Sequence, residues 1–431
     1  MGAASVTVEQ VRERVAKAAV SGNYDNVLRL GALLAGLGVA LFGLSLADGN
    51  SERAWHLFHV NWVYFTGIAG GSIAISAVHK VVNAKWSGFV LRFAQAWLYF
   101  LPVSFIGLII DQTVGYHTIY HHMIEELPGL SPGKQWWLSH PVMFTRLAVF
   151  LGLLYFFGWK MVQNDLGPDK AETAKFVSGA KQQAYQAAGQ GWDGSIAAQE
   201  RVWTTARMWG ALYVVTYALA FTMVAFDGIM ALQPHWFSNL LGGWYFMGSF
   251  LGAHMTLAIM TIYGAKHLGI ADLVSQKQRH DIGKLCFGFT IFWTYLMWAQ
   301  FQVIWYANLP EETGFVFSRL WGHWRPLGAA VGLGMFVIPF FGLIGTWTKK
   351  FPPTMILFAT ISLSALFLER FLMIVPSITK AEGPQFGLPE LGATALFLGL
   401  ALVCYAFFAR NNPMISPRLA VIAWNKEHAH H

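Results

Sequence analysis

Ten long apolar stretches recur along this 431-residue chain, near 27–47, 56–79, 89–110, 142–162, 204–232, 238–264, 284–307, 327–347, 354–375 and 389–409. Each is close to the ~20 residues that an α-helix needs to cross a bilayer. Only 12% of the residues are charged, about half the ~25% usual for soluble domains. A soluble globular domain, a disordered chain and a coiled coil are excluded. The pattern predicts an all-α polytopic membrane protein of about ten transmembrane helices. Cys286 and Cys404 are too few and too far apart for a thiolate cluster or a disulfide framework. The first apolar run starts only near Val27, so no cleavable signal peptide is expected.

An even number of spans puts both termini on one side. Basic residues cluster on that side: Arg12, Arg14 and Lys17 before span 1, Lys80, Lys85 and Arg92 after span 2, six between Lys160 and Arg207, four between Lys266 and Lys284, then Lys349, Lys350 and the tail. The opposite face holds only Arg53, Lys134, Arg146, Arg319, Arg325, Arg370 and Lys380. The positive-inside rule therefore predicts cytoplasmic termini. The net charge of +7 is then a matter of topology, and a nucleic-acid role has no support. Three regions are expected: a cytoplasmic segment 1–26, a ten-helix domain 27–410 and a cytoplasmic tail 411–431. Residues 5–20 read as an amphipathic helix with Val8, Val11, Val15 and Ala19 on one stripe. The terminal EHAHH reads as a loose end.

An internal repeat is visible. Tyr64-Phe65-Thr66-Gly67 with Gly71 matches Tyr245-Phe246-Met247-Gly248 with Gly252. Glycines four apart share a helix face and admit a close neighbour. Asp227 and Glu369 each precede a proline, Pro234 and Pro376, by seven residues. We read two four-helix bundles related as parallel repeats, spans 2–5 (56–232) and 6–9 (238–375), with spans 1 and 10 peripheral.

Ionisable residues inside spans cost free energy and point to function. His59, Asp111, Arg146 and Asp227 all fall toward the outer mouth of the first bundle; Glu369 and Arg370 fall in the outer third of span 9. His and Asp together can accept protons and hydrogen-bond a hydroxyl or carbonyl. An interfacial cluster that merely pairs its own charges is the competing reading. His254 lies alone in mid-span and reads best as a satisfied buried histidine, with a proton relay as the alternative. His117, His121 and His122 have helical metal-ligand spacing, Glu125 being the nearest carboxylate; a surface histidine cluster is the plainer reading, and no metal site is expected. Glu311-Glu312 reads as a helix-capping acidic pair or a partner contact.

Three segments carry a family resemblance: FHVNWVYFTGIAGGSIAISAVHK (58–80), FDGIMALQPHWFSNLLGGWYFMGSFLGA (226–253) and TYLMWAQFQVIWYANLPEETGF (294–315). The chain resembles the ActF-type, NrfD-like membrane subunit of bacterial alternative complex III, a quinol:electron-acceptor oxidoreductase of the respiratory chain. The resemblance implies an inner-membrane, multi-pass subunit of an electron-transport complex, with two four-helix bundles. It implies partners: an ActC-type subunit, an iron–sulfur protein, c-type haem proteins, small membrane subunits and lipids. Haem c and iron–sulfur clusters would lie in those partners. This chain would carry no covalent cofactor, with menaquinone or ubiquinone as the diffusible ligand. Carried over, the quinone-binding or proton-transfer residues are His59, Asp111, Arg146 and Asp227. A structural scaffold that docks the ActC-type subunit is the second reading, and an independent transporter the third.

Overall fold

The structure, a computed structural model, describes residues 7–379 and 381–428. Lys380 and the last residues of EHAHH lie outside the described residues. The described residues fold into helices and no strands. Nine of these helical segments are long and apolar enough to cross a membrane. The remaining expected span, 56–79, lies within α3 (Ser51–Val81), which is long enough but rich in His, Asn, Ser and Gly. Its polar content follows from its place: nearly the whole helix is buried against other helices, so its side chains face protein rather than lipid.

The other main helices are α1 (Val8–Ser21), α2 (Asp25–Ala47), α4 (Leu91–Thr113), α5 (His140–Thr173), α6 (Ile196–Gly228), α7 (Leu241–His267), α8 (Gln276–Ala307), α9 (Pro310–Leu320), α10 (Gly322–Leu343), α11 (Pro352–Ile378), α12 (Leu388–Asn411) and α13 (Pro417–His428). Two of them are locally deformed next to prolines. A 3-10 stretch, Ala96–Phe100, interrupts α4 just before Pro102. A π-turn, Leu333–Val337, interrupts α10 just before Pro339. In both cases the proline ring removes a backbone donor and crowds the preceding turn.

The central helices α3 and α7 pack on each other. Helix α3 also contacts α4, α6 and α11, and α7 also contacts α6, α8 and α11. Small residues set the α3–α7 approach: a Cβ at Gly67 would meet Ser249 Oγ at 2.5 Å, and one at Gly71 would meet the Ser249 carbonyl oxygen at 2.8 Å. Gly248 and Gly252 face elsewhere, toward Arg370 and Trp293, and toward Leu366. The peripheral pair α2 and α12 pack along their length through Gly31, Gly38 and Gly399.

Helix α1 starts with a capping box between Thr7 and Gln10. Val11, Val15 and Ala19 are buried as expected, but Val8 is exposed, because the helix enters its groove only after the first turn. Within the expected tail, Pro417–His428 form helix α13. Helix α13 packs against α1, and the Met414 amide donates to the Ala19 carbonyl at 2.8 Å. The described ends of the chain therefore sit together at one end of the helices, hereafter the terminal end. The opposite end is the distal end.

Candidate functional site

The distal network is built where three helices finish or begin. Helix α6 ends at Gly228, so its last carbonyls lack intrahelical donors. His59, two turns into α3, supplies one: its Nε2 lies 2.7 Å from the Gly228 carbonyl oxygen. His59 Nδ1 lies 2.7 Å from Asp111 Oδ1 of α4. Gln112 Nε2 donates to Asp111 Oδ2 at 3.0 Å and to the Tyr120 hydroxyl at 3.1 Å. One residue from Gly228, Asp227 receives a two-point contact from Arg146 of α5, at 2.5 and 3.0 Å. The Arg146 guanidinium also lies 3.7 Å over the Trp137 ring. His59, Asp111 and Asp227 have no exposed surface. The four residues singled out from the sequence thus form two pairs, joined through the 227–228 peptide.

Both ring nitrogens of His59 face acceptors. A neutral imidazole has one N–H, so it can satisfy only one of them. The His59–Asp111 pair must therefore carry an extra proton, either on imidazolium beside carboxylate or on the carboxyl beside neutral imidazole. The two arrangements have the same total charge and differ by the position of one proton along a 2.7 Å hydrogen bond.

The other singled-out residues lie apart from this network. His254 Nδ1 donates to the Phe250 carbonyl at 2.9 Å, and its ring packs against those of Phe250 and Phe289. Arg370 pairs with its neighbour Glu369 at 2.6 Å, donates to the Tyr245 carbonyl at 3.1 Å and covers the Tyr245 ring. His121, His122 and Glu125 come close enough together to share a cation, but His121 and Glu125 are exposed. His117 lines a distal cleft of about 790 Å³ with His56 and His121. Glu311 and Glu312 occupy the first turn of α9, where the helix dipole favours them; Asn308, in the left-handed conformation, ends α8 just before.

A second ionic network, at the terminal end of α3, was not anticipated. Lys80 lies 2.8 Å from Asp165 of α5, and Arg92 pairs with Asp169 one turn further on. Arg418 of α13 bridges both carboxylates, at 3.0 Å from Asp165 and 3.2 Å from Asp169. Ser416 donates to Asp169 at 2.7 Å. Gln95 links the network to Ser76 of α3, donating to Ser76 Oγ at 2.7 Å and to Asp165 at 2.9 Å. All five charged groups are buried. The sequence signal was the i, i+4 pair Asp165 and Asp169 on one face of the last turns of α5; like charges there demand cations from elsewhere.

Between the two networks, Thr66 and Ser104 share a 2.5 Å hydrogen bond, Ser104 contacts the Tyr155 hydroxyl at 2.8 Å, and Trp62 donates to the Ser104 carbonyl at 2.9 Å. His59, Thr66, Ser76 and Lys80 share one face of α3. From His59 to Lys80 that face runs about 31 Å at 1.5 Å per residue, close to the ~30 Å hydrocarbon thickness of a bilayer.

Most polar groups of the distal network are engaged within the protein. Each His59 nitrogen has a protein partner and both Asp227 oxygens are taken by Arg146, while Gln112 Oε1 and Arg146 Nη1 are buried without a partner. Fold and site define a helical membrane protein with many apolar spans and buried ionic networks in one helix group. No protein-family model matches the chain, and no curated protein matches it.

Proposed function

We propose that the chain is a membrane subunit of a quinol-oxidising respiratory complex of the alternative complex III type, and that helices α3–α6 carry protons across the bilayer. The resemblance of 58–80, 226–253 and 294–315 supports the complex. The observation that carries the proton role is the placement of two buried ionic networks at the two ends of one face of α3. The terminal end would be cytoplasmic and the distal end outer. A proton would enter at Lys80–Asp165, pass Gln95 and Ser76, and leave through Thr66, Ser104 and the His59–Asp111 pair. From Ser76 to Thr66 the face runs about 15 Å, too far for one hydrogen bond, so transfer there requires water.

Packing also supports two parallel repeats. Exchanging α3 with α7 and α6 with α11 turns the α3–α6 contact into α7–α11, and α3–α11 into α7–α6; all four are present. A two-fold axis along the membrane normal requires that correspondence. A scaffold role is the second reading, favoured by the complete pairing of His59. The test is proton release per quinol oxidised in the intact complex carrying Asp111→Asn. The proton role predicts fewer protons per turnover with assembly unchanged; an unchanged ratio favours the scaffold.

A further inference from the structure

At the distal end of α7, α8, α10 and α11 lies a cavity of about 140 Å³. Its walls include Trp236, Trp293, Phe315, Arg319, Gly332 and Glu369. That is close to the roughly 150 Å³ of an apolar protein cavity known to accept one benzene ring. Under the exchange of helices described above, α6 with Asp227 corresponds to α11 with Glu369. His59, Asp111 and Asp227 are fully buried in their own group, whereas Glu369 borders this cavity. A Cβ at Gly332 would meet nothing within 4 Å. The π-turn Leu333–Val337 begins at the next residue, and such turns recur at functional sites.

Flat surfaces and unused polar atoms coexist in this wall. Trp236 stacks on Phe315 with ring centres 3.6 Å apart and planes 7° from parallel. The Arg319 guanidinium lies 3.3 Å from the other centre, that of Phe315. Arg319 is buried and donates to two carbonyls and two serine hydroxyls, with no carboxylate partner among the described residues. Glu369 has one oxygen on Arg370; its Oε1, beside the Trp293 indole, closes no hydrogen bond of sound geometry. The Trp236 and Trp244 indole N–H groups are also buried without acceptors. Leaving a buried donor or acceptor unpaired is costly, so natural proteins rarely keep several in one cavity without a use for them.

We infer that this cavity binds the head of a lipid-soluble quinol or quinone: one ring between aromatic walls, a ring hydroxyl donating to Glu369 Oε1, and ring oxygens accepting from indole N–H groups. The inference rests on the proposed membership of a quinol-oxidising complex. It places the ligand in the helix group that does not contain His59. Arg319 acts from the wall, where its unneutralised charge favours electron-rich ring oxygens.

The experiment is photolabelling of the detergent-extracted complex with an azido-ubiquinone, mapped by mass spectrometry. Label is expected on peptides from α8 and α9 that contain Trp293 and Phe315, and excess decylubiquinol should compete it away. Gly332→Phe, which fills the open space, should lower labelling at least tenfold. Ile304→Phe fills the cavity from the opposite wall and should do the same if the first variant assembles poorly. Gly36→Ala, whose added Cβ meets nothing within 4 Å, should leave labelling unchanged. Label concentrated on α3 and α4, or label indifferent to both filling variants, overturns the site. Failure of the wider reading looks different: the cavity is labelled, but no haem or iron–sulfur subunit accompanies the chain.

Discussion

His59 and Asp111 share a 2.7 Å hydrogen bond with no solvent contact, while the other nitrogen of His59 is held by the carbonyl that ends α6. The histidine is therefore a joint between three helices as well as a proton holder. His59→Leu removes the partner of a buried carboxylate and of an orphan carbonyl. Loss of one member of a buried pair costs about 3–5 kcal/mol. A clear drop in thermal midpoint in lipid nanodiscs is expected, with much of it recovered when Asp111→Leu is added. An unchanged midpoint in the single variant would show that the pair is not structurally coupled.

The close approach of α3 and α7 depends on Gly71. Gly71→Ala places a methyl group 2.8 Å from the Ser249 carbonyl oxygen, and backbone cannot step aside. Overpacking of this kind costs about 1–3 kcal/mol. Gly36→Ala is the control, since its Cβ meets nothing within 4 Å. The first variant should lower the thermal midpoint and the second should leave it within error; equal behaviour would contradict the packing account.

At the terminal end, Arg14 hydrogen-bonds Asp272 and holds its carboxyl below the ordinary carboxylate range. Folding thus lowers this carboxyl from its free value of about 3.9. The tie contributes fully above that value and is lost as pH falls through the lowered, folded value. Both side chains are largely exposed, so the effect is small and salt-sensitive. After correction for the intrinsic rate of amide exchange, the extent of opening of α1 should rise as pH falls from about 5 through the free carboxyl value of about 3.9. Arg14→Gln should remove that rise; an identical rise in the variant would assign it to another group.

Arg418 ties the last helix to α5. Arg418→Ala leaves Asp165 with Lys80 and Asp169 with Arg92, so the cost is that of charged hydrogen bonds, about 1.5–3 kcal/mol. Faster proteolysis of α13, with α5 still protected, is the expected result. Equal cleavage rates would mean that α13 is held by its packing on α1 alone.

Much of the architecture was legible because bilayer thickness fixes span length: ten apolar runs fall within ten helices, counting α3. The distal pairs were legible too, since His59, Asp111, Arg146 and Asp227 are charged or polar residues in apolar surroundings at similar depth. The terminal network was not. Lys80, Arg92 and Arg418 fit the positive-inside pattern so well that each reads as a loop charge, and Arg418 meets Asp165 from 253 residues away. Local periodicity carries no trace of that return. The cavity beside Glu369 was hidden for a similar reason: Trp236, Phe315 and Arg319 come from a loop and a short helix outside the expected spans. Glu369 itself stood out by charge, but its open neighbour space depends on Gly332 and on the π-turn before Pro339.

The most direct test of the whole account is to extract the protein from native membranes in mild detergent, record a reduced-minus-oxidised spectrum and identify every polypeptide in the same band by mass spectrometry. A c-type haem signal with an iron–sulfur subunit and a second polytopic subunit is the predicted result. A colourless single polypeptide, stable by itself, would contradict it and point to an independent transporter.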